Sequence, residues 1–144
     1  MKLNLKQGQN LTLPERLFAL LNTELTKSAV SITTQNPLTF HFRDIDYSAS
    51  NGGYHPVEIR VEKVTNKEEP DYWKVIYITD FSFQGAPYPE LVKEIDICFT
   101  SNRVYSLFTG VLSHLKGQTL LTLFMNNFID YYASEVYEVT ITEL

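Results

Sequence analysis

Short runs of alternating apolar and polar side chains constrain the fold of this chain more than any other feature. In residues 38–43, Leu and Phe alternate with Thr, His and Arg, and in residues 57–62, Val and Ile alternate with Glu and Arg. Because successive side chains of a strand point to opposite faces, each run predicts a strand with one buried face. Further runs predict strands near residues 91–99, 104–108 and 137–142.

The segment from Tyr72 to Thr79 differs from these runs because apolar side chains occupy both of its predicted faces. In strict alternation Trp73 and Val75 would lie on one face, and Ile76 and Ile78 on the other. A strand that is apolar on both faces is typical of the middle of a sheet. We therefore predict that this segment is a central strand.

Two segments have helical rather than strand periodicity. Leucines at three- and four-residue steps predict a helix over residues 13–27, with Thr12 as N-cap, Glu15 as its capping-box partner and Pro14 in the first turn. Apolar and aromatic residues at similar steps predict a second amphipathic helix within residues 112–132. Both helices need an apolar surface on which to bury one face.

The order of these elements is helix, five strands, helix, strand, which predicts an α+β fold rather than an α/β fold. Strands joined by short turns pair antiparallel, so we expect a twisted antiparallel sheet of about six strands. The two helices would pack on it, and a polar connector at residues 33–36 would precede the first strand. With no linker or repeat, residues 1–144 are predicted to form a single domain.

Composition argues against several classes of function. The net charge is −5 and the pI about 5.1, and no basic cluster is present, so neither nucleic acid nor a membrane surface is a favoured partner. Cys98 is the single cysteine, which excludes an internal disulfide. The first residues lack the features of a secretion signal, and no apolar run is long enough to span a membrane. We therefore expect a cytoplasmic protein.

Two loops carry more polar and aromatic residues than packing requires. They follow the first and third predicted strands, from Asp44 to Tyr54 and from Asp80 to Pro89. In a meander of antiparallel strands both loops open at the same rim of the sheet. The candidate binding residues of this rim are Arg43, Asp44, Asp46, Tyr47, Tyr54, His55, Asp80, Tyr88 and Glu90.

Two functional hypotheses follow from these loops. Aromatic residues among polar ones are typical of protein-recognition surfaces, which favours a non-enzymatic interaction module with an unknown protein partner and possible homo-oligomers. The alternative is a metal-dependent or acid–base hydrolase at Asp44, His55 and Asp80. The chain has none of the common catalytic or metal-binding motifs, so we predict no cofactor, no bound metal and no catalytic residue.

Two purely structural interpretations of these loop residues, and a third functional hypothesis, remain open. The loop aspartates could cap backbone N–H groups in Asx turns, and Arg43 could pair with a carboxylate only to fix the loop. A pocket between the sheet and the C-terminal helix could instead bind a small ligand, with Tyr131 and Tyr132 along one wall.

Three stretches also resemble the motifs of a known family. They are residues 42–60, residues 77–81 together with 89–96, and residues 127–132. The pattern resembles a small gammaproteobacterial family of domains of unknown function, with members on mobile elements and pathogenicity islands. The likeness extends from about Leu13 to Ile141.

The resemblance implies a fold rather than an activity, since the family has no established activity. It implies a likeness to the acidic mitochondrial matrix protein that binds complement, a ring-shaped trimer with helices on a twisted antiparallel sheet. That protein acts by binding partners, which agrees with an interaction role. This chain is shorter and less acidic and is predicted to end on a strand, so trimer formation and complement binding do not carry over.

Overall fold

The computed structural model describes residues 2–28 and 36–143. Of the predicted polar connector at residues 33–36, only Asn36 lies within the described residues. The helices and strands, in chain order, are α1 (Glu15–Lys27), β1 (Leu38–Arg43), β2 (Val57–Val64), β3 (Tyr72–Gln84), β4 (Glu90–Cys98), β5 (Arg103–Ser106), β6 (Gly110–Val111), α2 (His114–Ala133) and β7 (Glu138–Glu143).

The described strands form one antiparallel sheet in the order β6-β5-β4-β3-β2-β1-β7. The predicted α+β fold is therefore confirmed, and β3 is the central strand as expected. The sheet has seven strands instead of about six because the two-residue β6 pairs with β5 through Tyr105 and Ser106. The chain crosses over once, when β7 returns after α2 to pair with β1.

Both helices bury their apolar faces in one core with the sheet. Leu121, Met125 and Phe128 of α2 are almost completely buried, as are Leu17 and Leu21 of α1. Burying a side chain of this size contributes about 1.5–3 kcal/mol, so the predicted amphipathic stripes are what fix both helices. Within the described ranges, neither helix is long and apolar enough to span a lipid bilayer.

Aromatic rings connect α2 to β1 and to the residue that precedes β7. The ring centroids of Phe42 in β1 and Phe128 in α2 lie 4.9 Å apart, in an edge-to-face arrangement. Tyr137, just before β7, lies 5.5 Å from Phe128 and 6.0 Å from Phe42. Edge-to-face pairs of this kind add about 0.5–1.5 kcal/mol to their burial. They fix the C-terminal half of α2 above β1.

The predicted capping box at the start of α1 is wrong. The N-cap is Pro14, which cannot donate or accept with its side chain, and the helix begins at Glu15 rather than residue 13. The Gln7 amide instead donates to the Leu13 carbonyl (2.6 Å) and accepts from the Leu13 N–H (2.9 Å). The Gln118 amide of α2 likewise accepts a hydrogen bond from the Thr12 N–H and donates one to the Thr12 carbonyl. These two glutamines fix the backbone that leads into α1, and the helix itself has no side-chain cap.

Two irregularities explain where strict alternation misplaced side chains. The register between β2 and β3 shifts between Arg60 and Val61, leaving Ile76 of β3 without a partner in that ladder. After this bulge Ile78 shares the core face with Val75, whereas Tyr77 turns to the opposite face. The predicted division of β3 into two faces is therefore wrong.

A second bulge changes the faces of β4. The register between β3 and β4 shifts between Asp80 and Phe81, so Asp80 pairs with Ile95, Phe81 pairs with Lys93, and Glu94 is the extra residue. Strict alternation would place Leu91 on the core face with Ile95, but Leu91 is 47% exposed. The single extra residue reverses the alternation, so Leu91 and Lys93 point away from the helix-covered face.

Candidate binding site at the sheet rim

The first predicted loop packs against the end of β3 at one rim of the sheet. The Tyr47 hydroxyl, in the first loop, accepts a hydrogen bond of 3.0 Å from the backbone N–H of Phe83 near the end of β3. The rings of these two residues lie 5.3 Å apart, and the Tyr47 ring also lies 5.5 Å from that of His55. Both connections leave the same end of the sheet as expected, but the first loop contacts only residues of the second predicted loop that the structure places in β3. Tyr47 is half-buried and anchors the first loop to the central strand.

Asp44 holds the first loop together from within. Its Oδ1 accepts from the N–H of Asp46 (3.0 Å), and its Oδ2 accepts from the N–H of Tyr54 (3.0 Å). The loop backbone passes so close that a Cβ on Gly53 would lie 2.8 Å from Asp44 Oδ2. Asp44 therefore performs the Asx-turn role that the sequence left open. Asp46 and Arg43 are exposed, and Arg43 forms no ion pair with any described residue.

The charged centre of the rim consists of His55, Asp80 and Glu94. His55 Nδ1 lies 2.9 Å from Asp80 Oδ2 and 3.8 Å from Glu94 Oε2. The other Asp80 oxygen, Oδ1, accepts from the Ile95 N–H at 2.7 Å, and Glu94 Oε1 accepts from the Ser82 hydroxyl at 2.9 Å. In each carboxylate, one oxygen accepts a hydrogen bond from the neighbouring strand residues and the other faces the imidazole.

The strand register brings these groups together. Asp80 pairs with Val57 of β2, two residues beyond His55, so the extended approach to β2 places the imidazole beside the end of β3. The bulge at Glu94 brings that side chain to the same place. Asp80 is 6% exposed, although it was predicted to lie in a loop. That prediction is wrong, because β3 continues through Phe81, Ser82 and Phe83 to Gln84.

The electrostatics of this cluster favour a charged imidazole. The hydrogen bond to Asp80 raises the pKa of His55 above its usual value, and the charges of Asp80 and Glu94 act in the same direction. Partial burial opposes them but is outweighed. The protonated form of His55 is therefore stabilised by two carboxylates.

Tyr88 and Glu90 do not join this centre. β3 and β4 continue past Asp80 and pair as far as Gln84 and Glu90. Four residues of strand correspond to about 13 Å, so the tip of this hairpin lies well away from His55. Tyr88 is 86% exposed there. The structure therefore brings His55 and Asp80 together with Glu94, and leaves Tyr88 and Glu90 at a separate tip.

A cavity of about 360 Å³ lies between this rim and α2. His55 and Asp80 line one end, and the rings of Tyr54 and Tyr131 lie 4.7 Å apart at its side. The remaining lining residues are Gly53, Val57, Ile95, Leu120, Leu123, Phe124, Asn127, Phe128 and Tyr137. A predominantly apolar cavity with a few convergent polar groups is typical of a binding site.

The predicted tyrosine wall is half correct. Tyr131 lines the cavity, but the Tyr132 hydroxyl instead donates a hydrogen bond to Glu24 of α1. Burial, followed by that bond to Glu24, raises the pKa of Tyr132. Tyr137 was not among the predicted site residues, yet it lines the cavity, and burial raises its pKa with help from Tyr131 and Asp80.

The cluster also has donors suited to a divalent cation. The ligand atoms of His55, Asp80 and Glu94 all lie within 4.8 Å of one another. One imidazole nitrogen and two carboxylate oxygens match the ligands of zinc and of manganese or iron. Glu94 was missed from the sequence because it lies in a predicted strand. The signal available was Lys93, a charged residue where strict alternation with Ile95 and Ile97 predicts an apolar one, next to the bulge at Glu94.

Residues 15–142 match the family described as "Protein of unknown function (DUF2787)". The chain belongs to the DUF2787 family. The predicted resemblance to a family of unknown function is therefore confirmed, over nearly the range expected. A comparison with curated proteins gives no match for this DUF2787 chain.

Two solved structures from Vibrio cholerae share the fold of this DUF2787 protein. The hypothetical protein VC0508, from the VSP-II pathogenicity island, is 32% identical, with a TM-score of 0.85 and coverage of 99% of this chain and 100% of that one. The conserved hypothetical protein VC1805, from pathogenicity island VPI-2, is 27% identical, with a TM-score of 0.76 and coverage of 96% and 99%. VC1805 is described as sharing structural homology with the human P32 protein.

Proposed function

We propose that this DUF2787 protein is a non-enzymatic protein-interaction module that engages its partner at the cavity between α2 and the sheet rim. The observation that carries the proposal is the apolar mouth of this cavity. Leu123 is 57% exposed, and Tyr54 and Tyr131 are 38% and 39% exposed around it. Large exposed apolar groups beside a cavity lined with aromatic rings are typical of the anchor points of protein interfaces.

The preformed shape of the site supports a recognition role. Asp44 fixes the backbone of Tyr54, and the ring of Tyr54 contacts that of Tyr131 on a regular helix. Side chains held in this way lose little conformational entropy when a partner binds. The described likeness of the relative VC1805 to human P32 agrees with the resemblance to a partner-binding protein that the sequence indicated. We extend the proposal to self-association as a further mode of interaction.

The test compares partner capture by matched surface variants. Tyr131→Ala and Leu123→Ser change the mouth of the cavity, whereas Leu115→Ser changes a residue that is 77% exposed on α2 but does not line it. Cross-linking in extracts of the natural host, followed by mass spectrometry, should show partners lost with the first two variants and kept with the third. Partners retained by all three variants would contradict the proposed site. Sedimentation of the pure protein tests self-association.

A second candidate function is a metal-dependent or acid–base hydrolase, now centred on His55, Asp80 and Glu94 rather than on Asp44. The hydrogen bond from a half-buried imidazole to a buried carboxylate favours it, since this arrangement orients a histidine for proton transfer. A divalent ion that raises the melting temperature of the wild type, but not of Asp80→Ala, would support this candidate. An unchanged melting temperature across a panel of divalent ions would count against the metal-dependent form.

A further inference from the structure

The charged groups around the cavity have an excess of carboxylates. Among the described residues that line it, none is lysine or arginine. Asp80 lines the cavity, and Glu94 lies just behind, 3.8 Å from the His55 imidazole. Even with His55 protonated, these three groups leave one negative charge uncompensated. A positively charged ligand would therefore be attracted to this end of the cavity.

The titratable groups of the site respond to this charge. The pKa of His55 is raised, first by its hydrogen bond to Asp80 and then by the charges of Asp80 and Glu94. The pKa of Tyr137 is raised mainly by burial, and the charges of Asp80 and Asp44 raise it further. The charge of Asp80 therefore acts on both groups.

The walls of the cavity suit an organic cation. The Tyr54 and Tyr131 rings, 4.7 Å apart and inclined by 59°, stand beside Phe124 and Phe128 along the helix side. Aromatic rings attract ammonium and guanidinium groups through their negative faces. The volume of about 360 Å³ has room for a long side chain, whereas a single metal ion would leave most of it empty.

We infer that the cavity binds the cationic side chain of a lysine or arginine in a partner protein. The aliphatic stem would lie along Leu123 and Phe124, and the cationic head would lie between the tyrosine rings and Asp80. This inference rests on the proposed function and names the chemistry of the partner at the same site. A metal ion is less suited, because His55 Nδ1 is already engaged with Asp80 and a single ion would leave most of the cavity empty.

The experiment uses small analogues of the two side chains and two matched controls. The ¹⁵N-labelled full chain is titrated with n-butylammonium, n-butylguanidinium, neutral n-butanol or anionic butyrate, and amide shifts are followed at Tyr54, Asn127 and Tyr131. Both cations should bind at these positions, at least about fivefold more tightly than butanol, as expected for cation–π contact with a charged site. Whichever cation binds more tightly indicates the preferred side chain.

Two variants test the source of the attraction. Glu94→Gln removes the uncompensated charge and should weaken butylammonium binding about threefold. Glu58→Gln is the control, because Glu58 lies on β2 beside His41 and Tyr77 and does not line this cavity. It should leave binding unchanged. Equal weakening by both variants would show a general effect of net charge and would overturn the inference.

Two other results would also overturn it. Butanol or butyrate binding as tightly as the cations would show that the site does not select positive charge. Zinc chloride that displaces butylammonium, and binds only when His55 is present, would show a metal centre instead. Either result leaves the proposed interaction role standing if Tyr131→Ala and Leu123→Ser still lose captured partners. The failure of the ligand class and the failure of the function are therefore distinguishable.

Discussion

His55 Nδ1 lies 2.9 Å from Oδ2 of Asp80, although 25 residues separate them in the sequence. The contact follows from the pairing of Val57 with Asp80 across β2 and β3, which places the residues just before β2 against the end of β3. A buried carboxylate beside a half-exposed imidazole makes the stability of this rim depend on the charge of the imidazole.

We expect the stabilising effect of His55 to decrease as the pH rises. Because the folded-state pKa is raised above 6.5, the protonated form is favoured by folding. The contribution is then fully present below about pH 6.5 and is lost as the pH rises through the folded-state pKa. Urea unfolding of the wild type and His55→Gln from about pH 5 to 9 should give free energies of unfolding that converge at the alkaline end.

The control for this prediction is His41→Gln. His41 Nδ1 lies 3.3 Å from Glu58 Oε1 on the opposite face of the sheet. The His41→Gln variant therefore shows the effect of removing a histidine that is not part of the rim cluster. A difference between wild type and His55→Gln that stays constant with pH, or grows as the pH rises, would contradict the assignment of a stabilising charge pair.

Asp80→Ala and Asp80→Asn separate two roles of this carboxylate. Alanine leaves the Ile95 N–H without its acceptor and should lower the free energy of unfolding by about 1–3 kcal/mol. Asparagine keeps an oxygen for Ile95 but removes the charge, so it should be less destabilising while returning the pKa of His55 toward its ordinary value. Urea unfolding and an NMR titration of His55 measure the two effects. Equal losses of stability in both variants would show that only the charge matters.

The sequence predicted the larger elements because their signals are local and repeated. Alternation over residues 38–43 and 57–62 places the apolar side chains of β1 and β2 on the core face, as the structure has them. The two amphipathic helices were predicted for the same reason, and the apolar character of residues 72–79 placed β3 in the centre of the sheet. Such patterns depend only on the period of each element.

The site was less predictable because it depends on two residues that break the period. Ile76 and Glu94 are the extra residues of two bulges, and a bulge has no local signal as strong as alternation. The Gly and Pro residues from Gly85 to Pro89 also suggested a longer loop, which concealed the continuation of β3 beyond Asp80. Glu94 therefore appeared in the sequence as an ordinary strand residue.

Gly53→Ala should destabilise the first loop more than Gly52→Ala. Gly53 has φ of +132°, and a Cβ there would lie 2.8 Å from Asp44 Oδ2 and 3.1 Å from Tyr47 Cα. Gly52 has φ of +70° with nothing within 4 Å of such a Cβ, so its variant carries only the backbone cost of about 1 kcal/mol. For Gly53→Ala we expect a loss above about 2 kcal/mol by thermal or urea unfolding. Similar losses in both variants would mean that Asp44 can move away without cost.

The size of the destabilisation by Gly117→Ala should depend on Val104. A Cβ at Gly117 in the first turns of α2 would lie 2.9 Å from Val104 Cγ2 and 3.0 Å from Val104 Cβ, on a side chain that is 2% exposed in β5. The resulting overpacking costs about 1–3 kcal/mol, which exceeds the gain of about 1 kcal/mol in helix propensity. The single variant should therefore be less stable than the wild type. In a Val104→Ala background the contact with Cγ2 is removed while Cβ remains at 3.0 Å, so Gly117→Ala should destabilise clearly less than it does in the wild type. Thr119→Ala, at an exposed position of the same helix, is the control and should have the same effect on stability in both backgrounds.

A double-mutant cycle of unfolding free energies measures the coupling between Gly117 and Val104, and an additive result would contradict the close packing of α2 on β5.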